Sequence, residues 1–181
     1  MNAFNKSLCI ILLSLTTLDL SAKDNTEKLG DAIYILSPTV AYGSTFYKDD
    51  PQGRIQFYKS ILTNTAVTFA LKYSVKKQRP NGKDNRSFPS GHTSTSFQSA
   101  AFLHKRYGLT AAVPLYIGAT YVAYSRVDSK NHDTTDVLAG ALIGGLSSYF
   151  FTTPYKKKKP MIQLMPVVSN NTLGLTFSAH W

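Results

Sequence analysis

Three short segments of the chain concentrate cations, imidazoles and a carboxylate at regular spacings. The first runs from Lys72 through six residues to Arg79-Pro80, the second is Pro89-Ser90-Gly91-His92, and the third is Ser125-Arg126, five residues, His132, three residues, Asp136. Lys72 and Arg79 lie seven apart, two helical turns, so both can project from one face at a helix end that Pro80 closes. Ser90-Gly91 places backbone N–H groups at a helix start, where aligned peptide dipoles favour an anion. Gly91 has no Cβ to hold an oxyanion away, and His92 stands in the first turn beside it. His132 and Asp136, four apart, stack on one face if helical, so the carboxylate can orient one imidazole nitrogen and leave the other free. Arg126 offers a planar fork to two oxygens of a tetrahedral anion. This set suits covalent phosphoryl transfer without metal: one histidine attacks phosphorus and another protonates the leaving oxygen.

The elements that must position these segments read as a helical bundle with a short β tail. Apolar residues recur at near-helical spacing over 30–47, and more strongly over 54–77, where Ile55, Tyr58, Ile61, Leu62, Phe69 and Tyr73 fall at three- and four-residue steps. Residues 78–88 form a loop by composition. Further helices are expected from Ser90-Gly91 to Tyr107, stopped by Gly108, then over 111–124 and 134–151. The stretches 111–124 and 137–151 are apolar on most faces. At about 15 residues they are short for a bilayer, which takes about 20, so the sequence predicts that they fill the bundle core. Gly140, Gly144 and Gly145 form a small-residue strip suited to close helix packing. From Thr172 to Trp181 the period drops to two, and with Ser169-Asn170-Asn171 as the turn and 162–168 as the partner it reads as a hairpin.

Composition sets the bounds. The chain has 181 residues, 43% apolar and 17% charged, too apolar for a disordered tail and long enough for one domain with a real core. Mean hydropathy is −0.13, which argues against a chain built mostly of membrane spans. A single cysteine, Cys9, excludes a disulfide framework and a multi-cysteine metal site. Lys6, the apolar run from Leu8 to Leu15 and the small residues ending at Ala22 match a secretory signal peptide. The sequence thus divides into a signal peptide over 1–22, a catalytic domain over 23–155, and a basic linker with the hairpin over 156–181. Export to the periplasm, or to the outer side of an inner membrane, is the expected location.

Charge is unevenly distributed. Residues 23–50 are acid-rich, whereas from Pro51 onward sixteen basic residues face four acidic ones. The formal net charge of +10 attracts phosphate esters and anionic lipid head groups, and no nucleic-acid fold signature accompanies it. The run Lys156 to Lys159 is a solvated linker or a contact for an anionic membrane surface.

The order K-x6-RP, PSGH, SR-x5-H-x3-D resembles the type 2 phosphatidic acid phosphatase (PAP2) superfamily, related to class A acid phosphatases and vanadium haloperoxidases. Eleven positions match: Lys72, Arg79, Pro80, Pro89, Ser90, Gly91, His92, Ser125, Arg126, His132 and Asp136. The resemblance implies a mainly α, PAP2-like bundle of about five helices with the motifs converging at one end. It also implies the roles: His132 as nucleophile forming a phosphohistidine, Asp136 as its orienter and His92 as general acid. Lys72, Arg79, Ser90, Gly91 and Arg126 would bind the phosphoryl oxygens, and no cofactor or metal would be needed. The run Asp136-Val137-Leu138-Ala139-Gly140 looks more like the lipid-phosphatase branch. The expected activity is therefore hydrolysis of a lipid phosphate or diphosphate, of the phosphatidate, undecaprenyl diphosphate or lipid A type. Alternatives are a soluble non-specific acid phosphatase, a non-enzymatic basic membrane-binding module, and a haloperoxidase.

Overall fold

A computed structural model describes residues 23–156, 161–169 and 172–180, the last two stretches as backbone. The expected signal segment and most of the lysine run lie outside the described residues. Five helices follow one another: α1 Lys23–Tyr47, α2 Pro51–Val75, α3 Gly91–Tyr107, α4 Leu109–Asp128 and α5 Thr134–Phe151. Strands β1 Met161–Ser169 and β2 Thr172–His180 pair antiparallel, with Met161 opposite His180 and Ser169 opposite Thr172. The mainly α bundle with a C-terminal hairpin is the architecture the sequence predicts.

Local chemistry explains the helix ends. Asp50 caps α2 by accepting from Gly53 N at 2.9 Å, with Pro51 in the first turn. Ser90 caps α3, and Gly108, at φ 95°, separates α3 from α4. Asp133 caps α5 in a capping box, accepting from Thr135 N and Asp136 N while the Asp136 side chain accepts from Asp133 N.

Two boundaries differ from expectation in ways that matter. α2 stops at Val75 because Lys76 turns left-handed at φ 48°, so Pro80 does not end it and Arg79 lies four residues beyond the helix. Lys72 and Arg79 therefore do not share a helix face. α4 runs on to Asp128, which places Ser125 and Arg126 in its last turn and His132 in the connection before α5.

α3 sits at the centre and packs against all four other helices, most extensively against α5. The α3–α5 approach is set by glycines. A Cβ at Gly144 would lie 2.0 Å from the Ser94 carbonyl oxygen, and one at Gly140 would lie 2.5 Å from the Ser90 carbonyl oxygen. Gly145 meets nothing within 4 Å, so only two of the three expected strip residues make the contact.

The interior is polar where helices touch. Gln98 donates to Ser60 at 2.6 Å, Asn64 to Ser94 at 3.3 Å, and Ser148 to the Gln98 carbonyl at 2.6 Å, all buried. At the end remote from the three motifs, Arg106 and Asp50 form a buried ion pair at 2.6 Å that Tyr107 completes. The larger of two apolar clusters, around Phe57, Phe102, Leu103 and Leu115, fills the space between.

Leu115, Val122 and Val137 are buried as expected, but many of the large apolar residues expected in the core instead face outward. On α5, Leu138, Leu142, Leu146 and Phe150 recur every four residues and are exposed, Phe150 by 75%. On α4, Val113, Ile117 and Tyr124 are also exposed, and on α2 so are Ile55, Tyr58, Leu62, Phe69 and Tyr73. The helical periodicity holds, but the buried face of α2 carries Phe57, Ser60, Asn64 and Thr68. Small and hydrogen-bonding residues let backbones approach closely, which leaves the bulky side chains outside. Among the described residues no helix is long and apolar enough to cross a membrane.

The glycine geometry predicts a sharp contrast. Gly144→Ala should destabilise the bundle by about 1–3 kcal/mol through overpacking, while Gly145→Ala should be neutral or stabilising by up to about 1 kcal/mol. Thermal unfolding of the two variants checks this, and equal effects would contradict the α3–α5 contact.

Candidate active site

The three motifs converge at one end of the bundle around a cavity of about 370 Å³. Its wall takes Lys72 from the last turn of α2, Arg79 from the following loop, Gly91 and His92 from the start of α3, and Arg126 from the last turn of α4. His132 and Asn131 come from the α4–α5 connection, and Glu27 and Asp31 from α1. Of the residues singled out in the sequence, Lys72, Arg79, Gly91, His92, Arg126 and His132 line this cavity together. Asp136 lies behind His132, fully buried.

His132 is held from both sides. Its Nδ1 lies 3.6 Å from Asp136 Oδ2 and 3.5 Å from Ser87 Oγ, and its Nε2 lies 3.4 Å from Arg79 Nη1. Because a guanidinium can only donate, Nε2 is the accepting nitrogen, and the ring proton belongs on Nδ1 toward the carboxylate. The pair does not stack within a helix, as its spacing suggested: His132 precedes the Asp133 cap, and Asp136 reaches back from the first turn of α5.

Asp136 is tied on both oxygens. Lys77 Nζ donates to Oδ1 at 2.9 Å, while Ser87 Oγ and Asp133 N donate to Oδ2, the first in a short contact and the second at 3.1 Å. Burial alone would raise its carboxyl pKa, but the bonds from Ser87, Lys77 and Asp133 outweigh burial and lower it.

The cations shape the titration of the other groups. Burial, then Lys72 and Arg79, push the His132 imidazole down to about 4 against the opposing pull of Asp136. Burial and Arg79 bring the Lys72 ammonium down to about 8. Burial and Arg126 also lower His92, with Asp31 opposing them. A neutral His132 with an accepting Nε2 at the base of a cationic cavity can attack an electrophile that carries negative charge.

Two placements differ from the sequence expectation. Ser90 is fully buried and turned away from the cavity: its N–H donates to the Asp136 carbonyl at 2.9 Å, and its Oγ caps α3. Its backbone N–H is therefore not a free anion donor. Arg126 reaches the wall with several donors already engaged, Nη2 on the Glu27 carbonyl at 2.8 Å and Nη1 2.9 Å from Asp31. A Cβ at Gly30 would lie 2.9 Å from Arg126 Nη2, so glycine there lets α1 come this close.

Five contributors, Asp31, Glu27, Asn131, Ser87 and Lys77, belong to none of the sequence motifs' fixed positions. Asp31 pairs with both Arg126 and His92, the latter at 3.2 Å, and Glu27 accepts from Asn131 at 2.6 Å. Ser87 and Lys77 hold Asp136. The available signal was the acid-rich 23–50 segment, with Glu27 and Asp31 four apart on a helix, opposite a strongly basic remainder. Among the described residues no group of three or more His, Cys, Asp or Glu side chains is placed to hold a metal ion.

The helical bundle thus gathers three cations, two imidazoles and a buried carboxylate at one end. Comparison with known proteins supplies the family. Residues 55–160 match the PAP2 superfamily model, and the chain belongs to that superfamily. It is 35% identical over 171 residues to a lipid A 4'-phosphatase of Helicobacter pylori, covering 86% of this chain and 85% of that protein. It is also 35% identical over 104 residues to a lipid A 1-phosphatase of Porphyromonas gingivalis, 51% of this chain but only 23% of that protein. The crystal structure of Aquifex aeolicus LpxE shares the fold, with a TM-score of 0.59 at 20% identity over 79% of this chain and 93% of that one. The chain is a phosphoric ester hydrolase.

The site geometry predicts that His132 titrates near pH 4 rather than 6.5. Because the folded value lies below the unfolded one, its contribution to stability should fall as pH drops from about 6.5 toward 4. Histidine NMR titration reads the midpoint directly, and Lys72→Met should raise it. A midpoint at the ordinary value would contradict the cationic pocket.

Proposed function

We propose that the protein is a lipid phosphate phosphatase that acts at a membrane through a phosphohistidine on His132. The observation that carries this reading is the His132 imidazole, its Nδ1 toward buried Asp136 and its Nε2 toward the cavity beside Arg79. In the first step Nε2 attacks phosphorus and the bond from phosphorus to the leaving oxygen breaks. His92 gives its proton to that oxygen. In the second step water attacks the phosphohistidine, His92 takes the proton from the water, and the N–P bond breaks to release inorganic phosphate. Lys72, Arg79, Arg126 and the α3 start at Gly91 stabilise charge on the transferring group, a contribution for which one lost donor costs about 3–4 kcal/mol. Ser90 supports this set as the cap that fixes Gly91. No metal or other cofactor takes part.

The lipid class rests on two supports. Named relatives include lipid A phosphatases and a probable lipid phosphate phosphatase of Arabidopsis thaliana, 33% identical over 72% of this chain. The outward apolar faces of α2, α4 and α5 suit contact with acyl chains, and exposed patches of this kind mark interaction surfaces. With the signal segment, they favour an exported enzyme seated against a membrane. The lysine-rich linker adds attraction to anionic lipid.

The test is phosphate release by the purified protein from dispersed lipid phosphates, diphosphates and lipid A, beside a water-soluble aryl phosphate. Preference for a lipid is expected; activity confined to the aryl ester would favour a soluble phosphomonoesterase. His92→Ala should cost about 10²–10⁴-fold on lipid esters and much less on an activated aryl ester, whose leaving group needs little protonation. Vanadate should compete with substrate, and a chelator should leave the rate unchanged.

A further inference from the structure

Lys77 occupies one of the unspecified positions between Lys72 and Arg79 and lies off the cavity wall. Yet its ammonium meets three groups at the start of α5 at once, the cap residue Asp133 among them. Nζ donates to Asp136 Oδ1 at 2.9 Å and to Thr135 Oγ1 at 2.9 Å, and it makes a short ion pair with Asp133. Its backbone has a second hold, since the Lys77 carbonyl accepts from Ser87 N at 2.9 Å, and Ser87 Oγ in turn donates to Asp136 Oδ2. Both oxygens of the Asp136 carboxylate are therefore tied, directly or through one residue, to position 77. The left-handed turn at Lys76 brings the chain into this place.

We infer that Lys77 is a positioning residue, which fixes the Asp136 carboxylate behind His132 and anchors the capping box of α5 to the loop carrying Arg79. The inference rests on the proposed role of His132. Lys77 acts through Asp136 and touches no reacting atom. Lys77 bridges the cap residue and the orienter, with its side chain and its backbone acting on opposite oxygens of one carboxylate.

The electrostatic consequence has a definite sign. The charged groups around His132 are Lys72 from α2, Arg79 from the loop, His92 from α3, Arg126 from α4, Asp133 and Asp136 from α5, and Glu27 and Asp31 from α1. Lys77 neutralises the Asp136 and Asp133 side of this set. The bonds to Asp133 and Asp136 outweigh burial and hold the Lys77 ammonium above its ordinary value, so it stays charged across the working range. Without it, Asp136 would act on the imidazole uncompensated and favour its protonation, which removes the nucleophile.

The experiment compares wild type, Lys77→Met, Lys77→Gln and Lys77→Arg by kcat/KM against pH on an aryl phosphate, with the His132 titration read by NMR. In the Met and Gln variants the acid limb and the His132 midpoint should both rise by about one pH unit. At the alkaline plateau kcat should fall more than KM rises. The Arg variant should return both midpoints toward wild type. Loss of thermal stability in the Met and Gln variants with an unmoved His132 midpoint would overturn the inference and leave Lys77 as a structural tie. Because the NMR midpoint needs no turnover, it separates this result from failure of the phosphatase reading, which would show as a wild-type protein inactive on every ester.

Discussion

Asp136 is the point on which the functional end of the molecule depends. Its side chain accepts from Lys77, Ser87 and the Asp133 N–H and faces His132, while its carbonyl accepts from Ser90 N at the start of α3. One buried residue thus joins the loop after α2, the first turn of α3 and the first turn of α5, each of which brings part of the site. A buried carboxylate is tolerable only when its oxygens are fully hydrogen-bonded, and this one is. The requirement to satisfy Asp136 is therefore also what brings the motifs together.

The packing that allows this convergence reverses the usual division of polar and apolar residues. α3 lies close to α5 because Gly140 and Gly144 leave room for backbone, and serine, threonine, asparagine and glutamine fill the seams with hydrogen bonds. Bulky residues are then directed outward on α2, α4 and α5. At the opposite end, the Asp50–Arg106 pair with Tyr107 performs the corresponding closure. A hydrogen-bonded polar interior holds together the helix ends that carry Lys72, His92 and Arg126, and the apolar exterior is consistent with the proposed lipid substrate.

Much of this was legible in the sequence because the chemistry is carried by residue type and order. Lys72, Arg79, His92, Arg126, His132 and Asp136 needed only to converge on one cavity, and Gly108 marks a helix end by its own chemistry. Helix orientation was not legible. Ile55, Leu62 and Phe69 give a clear stripe, but periodicity reports that a face exists and not which face is buried. The end of α2 departs from the position Pro80 suggests because nothing local reveals the left-handed turn at Lys76, next to Lys77, whose side-chain partners lie more than fifty residues away. Asp31 and Glu27 were hidden for a similar reason: their partners Arg126 and Asn131 lie about a hundred residues on.

The central claim is that His132 carries the phosphoryl group during turnover. Rapid acid-free quenching of the enzyme with an excess of a fast aryl phosphate, followed by peptide mass spectrometry under alkaline conditions, tests it most directly. A phosphoramidate on the peptide containing His132, absent from His132→Ala, is the predicted result. Turnover with no phosphorylated histidine, or with phosphate on another side chain, would contradict the account.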